Sequence, residues 1–253
     1  MTNGAFERDL GSYLESYQAL PFEIHQEHFR RNALLKLLTS KDFGIATEIG
    51  CGRSSIFESW SPTLKSQTVE PIGVLLDEAK VRIQRPEIWE GYCARAEEVS
   101  HENALANSDI TIMSSILHEV EDPSQLLNAA IGLTKPGGIL AVIVTNKESL
   151  HRILGVRLGF QTELNQRTTT EIRMQQAHGA YSIAELTEEL QEQGLEVIKT
   201  ETFFPKMFSH IQMQRFLDES LITFEFLKSM EALSDSLPGL GSEILAVSRV
   251  PID

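Results

Sequence analysis

The sequence TEIGCGRSS, residues 47–55, decides the fold, because it places two glycines and an acid at the end of an apolar segment, GIATEIG at 44–50. Such a segment is typical of a buried strand that meets a tight turn. Gly50 and Gly52 allow the backbone to turn sharply and to lie close to a ligand. Glu48 adds a carboxylate two residues before the first glycine, which suits an ammonium group better than a pyrophosphate. The pattern predicts a helix after the turn, with its free N–H groups and positive dipole end directed at the ligand.

A second carboxylate, Glu70, ends the next predicted strand, SQTVE at 66–70, twenty residues after Gly50. A carboxylate at this position can accept two hydrogen bonds from a ribose diol. Nicotinamide sites and S-adenosylmethionine (SAM) sites both use this arrangement. Glu70 alone therefore does not distinguish between these two classes of ligand.

Strands and helices alternate through the rest of the chain. Asp122 is typical of a helix N-cap, because Pro123 follows it at the first helical position. Ser182 and Glu185 form a capping-box pattern for another helix. Besides 44–50 and 66–70, the predicted strands are 91–95, 109–116, 139–145, 195–204 and 242–250, the predicted helices are 73–85, 123–133 and 183–193, and 135–138 is a predicted turn. The alternation favours a doubly wound α/β fold, in which helices cover both faces of a mostly parallel sheet.

The length of 253 residues fits one domain with added segments. We expect an N-terminal helical cap at 1–43, whose helix near 12–39 keeps its polar residues, Gln26 among them, off the apolar stripe. The ligand-binding core is expected at 44–145. Two irregular blocks, 148–181 and 203–241, are predicted to be helical lids over a binding cleft.

Three features occur in order: EIGCG at 48–52, the strand-end Glu70, and DP at 122–123 followed by KPGGIL at 135–140. Together they resemble class I SAM-dependent methyltransferases, over roughly residues 44–145 and more loosely to 250. The resemblance implies a Rossmann-like sheet of seven strands, with the last strand antiparallel and inserted beside the fifth. It also implies SAM as the cofactor, S-adenosylhomocysteine (SAH) as its product, and no metal.

The resemblance further assigns roles within the core. It places Glu48 near the methionine amino group and Glu70 at the ribose hydroxyls. The other expected cofactor contacts are Gly50, Cys51 and Gly52 at the methionine part, Pro71 and Ile72 at the adenine, Ala96 and Glu97 at the adenine edge, and Ser114 and Ser115 near the sulfonium.

A weaker resemblance lies in the second half of the chain. The residues NKESLHRILG at 146–155, then His178, Tyr181 and Pro205-Lys206, are similar to a subset of small-molecule methyltransferases that act on sugars or natural products. This resemblance implies transfer of a methyl group to an oxygen or nitrogen atom of a small molecule.

A hydroxyl acceptor needs a base, and histidine titrates nearest to neutral pH. His151 is the first candidate base, because the segment LHR follows the fifth predicted strand, and His118 and His178 are the others. Arg152 and Tyr181 are candidate substrate contacts, with Arg152 suited to a carboxylate or phosphate. Simpler interpretations stay open: structural histidines, an Arg152 paired with an acid, and a Tyr181 that only packs.

Composition limits the partners. The formal charge of −14, from 22 basic and 36 acidic side chains, disfavours nucleic acid and anionic membranes, so we expect a small-molecule substrate. No apolar segment has the length of a membrane span, and the N-terminus lacks a secretory pattern. With only Cys51 and Cys93, the sequence indicates a reducing cytoplasm. A homodimer is compatible with these features.

Other functions fit parts of the same pattern. A nicotinamide-dependent oxidoreductase would need a third glycine where Ser55 stands, and it gives no reason for Glu48. A SAM-binding pseudo-enzyme, or a SAM enzyme with another reaction, would keep the same cofactor residues. Cys51 lies near the predicted helix N-terminus, which would lower its pKa, but no His-Asn pattern supports a nucleophile. We interpret Cys51 as a small turn residue.

Overall fold

The computed structural model describes residues 11, 15, 16, 19–101, 105 and 107–252, and its centre is a seven-stranded sheet. The strands are β1 Ile45–Ile49, β2 Lys65–Val69, β3 Trp89–Tyr92, β4 Ser108–Ser114, β5 Thr134–Thr145, β6 Glu196–Phe203 and β7 Glu243–Arg249. They stand in the order β3-β2-β1-β4-β5-β7-β6. The predicted doubly wound, mostly parallel sheet of seven strands is thus confirmed.

Strand β7 lies between β5 and β6 and is antiparallel to both. Its first residue, Glu243, pairs with Thr145 at the end of β5 and with Phe203 at the end of β6. The start of β7 therefore lies at the sheet edge where the parallel strands end. Residues from both halves of the sheet meet at this edge.

Helices cover both faces of the sheet. They are α1 Glu23–Leu38, α2 Gly73–Lys80, α3 Ala96–His101, α4 Pro123–Leu133, α5 Leu150–Arg157, α6 Thr169–Arg173, α7 Ile183–Glu192, α8 His210–Asp218 and α9 Phe224–Glu231. Successive side chains of a strand point to opposite faces. In β5, Leu140 and Val142 accordingly join one apolar cluster, and Ala141 and Ile143 join the other.

The predicted helix after the glycine turn was wrong. A short 3₁₀ helix, Ile56–Glu58, stands there instead. Ser55 caps it, and the Glu48 carboxylate binds both Ser55 and the Ile56 N–H, which fixes where this turn begins. A helix dipole along this segment therefore contributes nothing to the site.

Other helices and strands begin or end at residues different from those predicted. Helix α2 ends at Lys80 rather than near 85, because the chain leaves the helix so that Ile83 is buried and the Gln84 N–H donates to the Phe57 carbonyl. The predicted turn at 135–138 is part of β5. Helix α1 begins at Glu23, and residues 12–14 and 17–18 of its predicted span lie outside the described residues.

Helices α3 and α6 are short and were not predicted. The predicted N-cap and capping box were better guides: the Asp122 side chain accepts from the Gln125 N–H, and Ser182 and Glu185 cap α7 reciprocally. The two irregular blocks contain α5 and α6, and α8 and α9. Within the described part of the chain, no helix combines the length and the apolar character that crossing a membrane requires.

Candidate active site

A cavity of about 690 Å³ opens at the edge where β1, β2, β4 and β5 end and β7 begins. In open α/β sheets, ligands bind beyond the carboxyl ends of the strands. The cavity reaches from the glycine turn after β1 to helices α1, α5 and α8. Its size is within the usual range for pockets that hold a cofactor or small molecule.

The glycine turn has backbone conformations that favour glycine. Gly50 has φ of +74° and Gly52 has φ of +54°. A Cβ atom on Gly50 would lie 2.7 Å from Ile116 Cγ2, whereas one on Gly52 would meet nothing within 4 Å. Gly50 is therefore required by packing as well as by φ. At Gly52 the bare backbone forms part of the cavity wall.

Glu48 holds the segment after this turn. Its side chain is buried, its Oε1 accepts from the Ile56 N–H at 2.9 Å, and its Oε2 accepts from the Ser55 hydroxyl. Burial raises the pKa of Glu48 to about 7, because loss of hydration penalises the charged form more than these hydrogen bonds favour it. A cationic group beside Glu48 would therefore meet a carboxyl that is ready to lose its proton near neutral pH.

Glu70 joins two turns. It is buried, its Oε2 accepts from the Gly52 N–H at 3.2 Å, and its Oε1 accepts from the Ile72 N–H at 2.9 Å. One carboxylate thus ties the turn after β1 to the turn after β2. Glu70 also lines the cavity, where a diol could approach its carboxylate.

All eleven residues expected to contact a cofactor line this cavity. Ser115 has the unusual φ of +61°, and its hydroxyl donates to Glu243 Oε1 at 3.2 Å. Ser115 thereby connects the end of β4 to the start of β7. The remaining members are Glu48, Gly50, Cys51, Gly52, Glu70, Pro71, Ile72, Ala96, Glu97 and Ser114.

The sequence argument that a helix N-terminus lowers the pKa of Cys51 was wrong. No α-helix starts at this turn in the described chain, and burial raises the pKa of the Cys51 thiol, with Glu48 and Glu70 adding to the effect. A thiol in this environment stays protonated. Cys51 is a small buried turn residue, as its sequence context indicated.

The three candidate histidines do not all reach the cavity. His118 and His151 line it, but His178 does not. The His178 ring bonds to the Glu121 carbonyl at 3.0 Å, and the His178 backbone N–H donates to the His118 carbonyl at 3.0 Å. Burial holds the pKa of His151 well below its ordinary value, and the positive charges of Lys206 and Arg152 add to this effect. His151 is therefore a neutral imidazole at physiological pH.

The two candidate substrate contacts have other partners. Arg152 lines the cavity, but it is buried and ion-paired with Glu171. Tyr181 lies outside the cavity lining, packs against the apolar cluster under α7, and bridges to Asn146 through the backbone. Burial and Glu189 raise the pKa of its hydroxyl. These contacts match the simpler interpretations, in which Arg152 pairs with an acid and Tyr181 only packs.

A group of cavity residues was not assigned from the sequence, and we call it the polar cluster. Its members are Glu23, Gln26, Arg30, Lys206, His210, Ser242 and Glu243. Arg30 bridges the two acids, at 3.0 Å from Glu23 Oε1 and 2.6 Å from Glu243 Oε1. The expectation that Gln26 lies off the apolar stripe of α1 was wrong: Gln26 is buried on the same helix face as Phe29 and Ala33, because positions i, i+3 and i+7 share one face.

Lys206 and Gln26 form the second part of the polar cluster. Both are buried, Lys206 Nζ donates to Gln26 Oε1 at 2.9 Å, and Gln26 Nε2 donates to Ser242 Oγ at 2.8 Å. The sequence resemblance had included Pro205-Lys206 without giving it a role. In the described residues, no group of His, Cys, Asp and Glu side chains is placed to hold a metal ion.

Comparisons with known proteins agree with this geometry. A family model described as a methyltransferase domain matches residues 47–142, which span the glycine turn and extend into β5. Among curated proteins, none matches the sequence significantly.

Solved methyltransferase structures share the fold over nearly the whole chain. The N-methyltransferase NodS from Bradyrhizobium japonicum, in complex with SAH, has a TM-score of 0.57 at 16% identity, covering 95% of this chain and 99% of NodS. The plantazolicin methyltransferase BamL, in complex with a triazolic desmethylPZN analog and SAH, has a TM-score of 0.59 at 13% identity, covering 96% and 97%. A SAM-dependent methyltransferase from Mesorhizobium loti has a TM-score of 0.56 at 17% identity, covering 86% and 96%.

The family match, the strand order and the cavity at the strand ends agree with one another. They confirm the resemblance that the glycine turn and Glu70 carried. Residues 47–142 match a methyltransferase domain, and the chain has the fold of the class I SAM-dependent methyltransferases.

Proposed function

We propose that this protein transfers the methyl group of SAM to an oxygen or nitrogen atom of a small molecule. The observation that carries the proposal is the pair of buried carboxylates, Glu48 and Glu70, at neighbouring strand ends on either side of the glycine turn. The two acids would hold the ammonium and the ribose ends of one molecule. A pyrophosphate-bearing cofactor would instead bring negative charge to both acids.

The cavity fits a cationic nucleoside in two further ways. The open backbone at Gly52 gives the ligand room to approach, since a Cβ there would meet nothing within 4 Å. Ten carboxyl side chains and five Arg or Lys side chains line the cavity, and this excess of acid favours a positively charged guest. The SAH that is bound in the NodS and BamL structures supports the same choice of cofactor.

When bound, the cofactor supplies a methyl group on a positively charged sulfur. Glu48 would hold the amino group, Glu70 the ribose hydroxyls, and Ile72 the face of the adenine. A 3.2 Å hydrogen bond from Ser115 to Glu243 joins the cofactor residues to the polar cluster. The acceptor would lie against the polar cluster, where positioning provides much of the acceleration of an in-line transfer.

His151 is our candidate base for a hydroxyl acceptor. It lines the cavity beside Lys206 and Arg152, and its ring is neutral, so it can accept a proton. An amine acceptor in its neutral form would need alignment but no base.

We further propose a cap at 1–43, a SAM-binding core at 44–145, lids at 148–181 and 203–241, a cytoplasmic location, and a homodimer.

Incubation of the protein with methyl-labelled SAM and fractionated cell extract tests the proposal. We expect label in a small organic molecule, and SAH but not NAD should raise the melting temperature, because a ligand that binds the folded state stabilises it. Stabilisation by SAH without any labelled product would favour a SAM-binding pseudo-enzyme. Stabilisation by NAD alone would refute the proposal and favour an oxidoreductase.

A further inference from the structure

Lys206 is a buried lysine that has no carboxylate within ion-pair distance among the described residues. It lines the cavity just after β6, and its ammonium donates to the neutral Gln26 amide at 2.9 Å. The ring of Phe22 lies 5.7 Å from Nζ. An ammonium has three N–H donors, and the described residues give this one a single hydrogen-bond acceptor.

The acids nearest to Lys206 already have other partners. Glu243 accepts from Arg30 and from Ser115, and Glu23 accepts from Arg30. Glu171, the third acid of this region, is paired with Arg152. The carboxylates are thus turned toward the two arginines. Burial lowers the pKa of Lys206 to about 7, although Glu23 and Glu243 favour its charged form, so an anion bound beside Nζ would raise this pKa and complete an ion pair.

Two histidines stand beside this charge in neutral form. Burial lowers the pKa of His151 and of His210, and Lys206, Arg152 and Arg30 contribute further lowering. His210 Nδ1 lies 3.8 Å from Glu23 Oε2, beyond hydrogen-bond distance. Both rings line the cavity, so each can offer one N–H to a bound anion.

Lys206 lies near the opposite lateral edge of the sheet from Gly50 and Glu70. Gly50 follows β1 and Glu70 follows β2, whereas Lys206 follows the edge strand β6. Four strand spacings separate β1 from β6, which amounts to roughly 19 Å across the sheet. The position of Lys206 therefore belongs to the acceptor end of the cavity rather than to the cofactor end.

We propose that Lys206 binds an acidic group, a carboxylate or a phosphate, on the molecule that accepts the methyl group. The inference rests on the proposed methyl-transfer function and makes Lys206 a specificity-determining residue of the same site. An anion would complete the hydrogen bonds of the ammonium and relieve the cost of its burial. An amine-bearing group would instead meet the like charges of Lys206, Arg30 and Arg152.

The test uses small probes, because the acceptor is unidentified. Side-chain NMR signals of the histidines would be followed while SAH-saturated protein is titrated with acetate, inorganic phosphate, acetamide or methylammonium at constant ionic strength. We expect acetate and phosphate to shift the His151 and His210 signals in a saturable way. Acetamide and methylammonium should not, and His178, which lies outside the cavity lining, is the internal control.

Variants separate Lys206 from general charge effects. Lys206→Met should weaken the apparent acetate affinity about tenfold or more, the worth of a hydrogen bond to a charged group. Lys206→Arg should retain most of it. Lys199→Met removes an exposed lysine of β6 and should change nothing. If Lys206→Met fails to fold, the contrast between acetate and acetamide in the wild-type protein still tests whether the polar cluster binds an anionic group.

Equal responses to acetate and acetamide, or an unchanged acetate response in Lys206→Met, would overturn the proposal. A response to methylammonium alone would contradict the proposal and would indicate that the polar cluster binds a cationic group of the acceptor. If acetate acts only without SAH and Lys206→Met lowers SAH affinity, Lys206 binds the carboxylate of the cofactor instead. Failure of SAH to bind the wild-type protein would refute the methyl-transfer function, while acetate titration without SAH would still test Lys206.

Discussion

Arg30 and Glu243, 213 residues apart, form a two-pronged ion pair that joins helix α1 to the start of strand β7. Arg30 Nη2 lies 2.6 Å and Nε lies 3.0 Å from Glu243 Oε1. The side chains are only 13% and 4% exposed, so the contact is largely removed from water. The pair connects helix α1 to the strand next to the β6 edge of the sheet, and both residues line the cavity.

Breaking this pair should destabilise the protein strongly. Arg30→Met leaves buried carboxylates uncompensated, and we expect a loss of about 3–5 kcal/mol in the free energy of unfolding. The double variant Arg30→Met/Glu243→Gln should recover part of that loss, because it removes both charges. Urea denaturation of the single and double variants measures the coupling between the two side chains.

A matched control lies in α8. Arg215 and Glu219 also form an ion pair at 2.6 Å, but their side chains are 74% and 47% exposed. Arg215→Met should leave the urea midpoint within error of the wild type, since exposed pairs contribute little. Similar losses in Arg215→Met and Arg30→Met would show that burial of the Arg30 pair is unimportant.

Gly50→Ala should lower stability and SAH affinity more than Gly159→Ala, which replaces a glycine with nearly the same φ. Gly50 and Gly159 have φ of +74° and +75°, but only Gly50 would bring a Cβ against Ile116, at 2.7 Å. Both substitutions incur about 1–2 kcal/mol for the left-handed conformation. Urea unfolding should show a larger loss for Gly50→Ala, and SAH affinity should fall only there. Equal losses would mean that Ile116 moves aside without cost.

Glu70→Gln should weaken SAH binding roughly tenfold or more, because it removes charge from hydrogen bonds to the cofactor. The same change loosens the link between the turns at Gly52 and Ile72. Isothermal titration calorimetry measures the affinity. Glu90→Gln is the control, since Glu90 lies in the neighbouring strand β3 outside the cavity lining. Unchanged SAH affinity in Glu70→Gln or Glu70→Ala would contradict the assigned role.

Cofactor binding should release a proton from Glu48 in mildly acidic solution. The pKa of Glu48 is raised from 4.5 to about 7, so the folded protein holds this proton at pH 6. An ammonium group beside it would favour the ionised form, and SAH affinity should therefore rise as pH increases from about 5 to about 7. Calorimetry in buffers of different ionisation enthalpy counts the protons released. The release should vanish in Glu48→Gln.

The same raised pKa has a consequence for stability. A carboxyl whose pKa is higher in the folded state costs stability once it ionises, so the penalty is absent below about pH 4.5 and complete above about pH 7. Glu48→Gln should therefore lose least, relative to wild type, at the upper end of this range. A stability difference that does not depend on pH would contradict the raised pKa.

His151→Ala should cut turnover by about a hundredfold or more while leaving SAH affinity nearly unchanged, if a hydroxyl is methylated. His178→Ala is the control, because His178 lies outside the cavity lining. The pKa of His151 is held well below 6.5, so its ring stays neutral and turnover should not fall between pH 8 and pH 6 through its protonation. Equal effects of the two substitutions would remove His151 as the base.

The core of the site was predictable because its signals are local. Glu48, Gly50 and Gly52 lie within one turn, and Glu70 stands at the end of the next strand, so the parallel sheet itself brings them together. The antiparallel last strand beside the fifth followed from the resemblance, and the mostly parallel sheet followed from the alternation of strands and helices. Capping residues such as Ser182 located a helix start because their hydrogen bonds are also local.

The polar cluster was not predictable for the opposite reason. Gln26 and Ser242 meet over 216 residues of sequence, and nothing within either segment indicates the other. The sequence left open whether Arg152 binds substrate or pairs with an acid, and it did not indicate that this acid is Glu171, which lies in the unpredicted helix α6. The missing helix after the glycine turn reflects competition by the Glu48 side chain, which takes the Ile56 N–H.

The position of β7 also bears on how the chain is made. During synthesis on the ribosome, β5 and β6 emerge before the strand that joins them, so each keeps an unpaired edge that could recruit other chains. The two parts of the sheet can pair only after residues 243–249 have been synthesised, and the same strand places Glu243 against Arg30. Completion of the fold and completion of the pocket are thus one late, cooperative step.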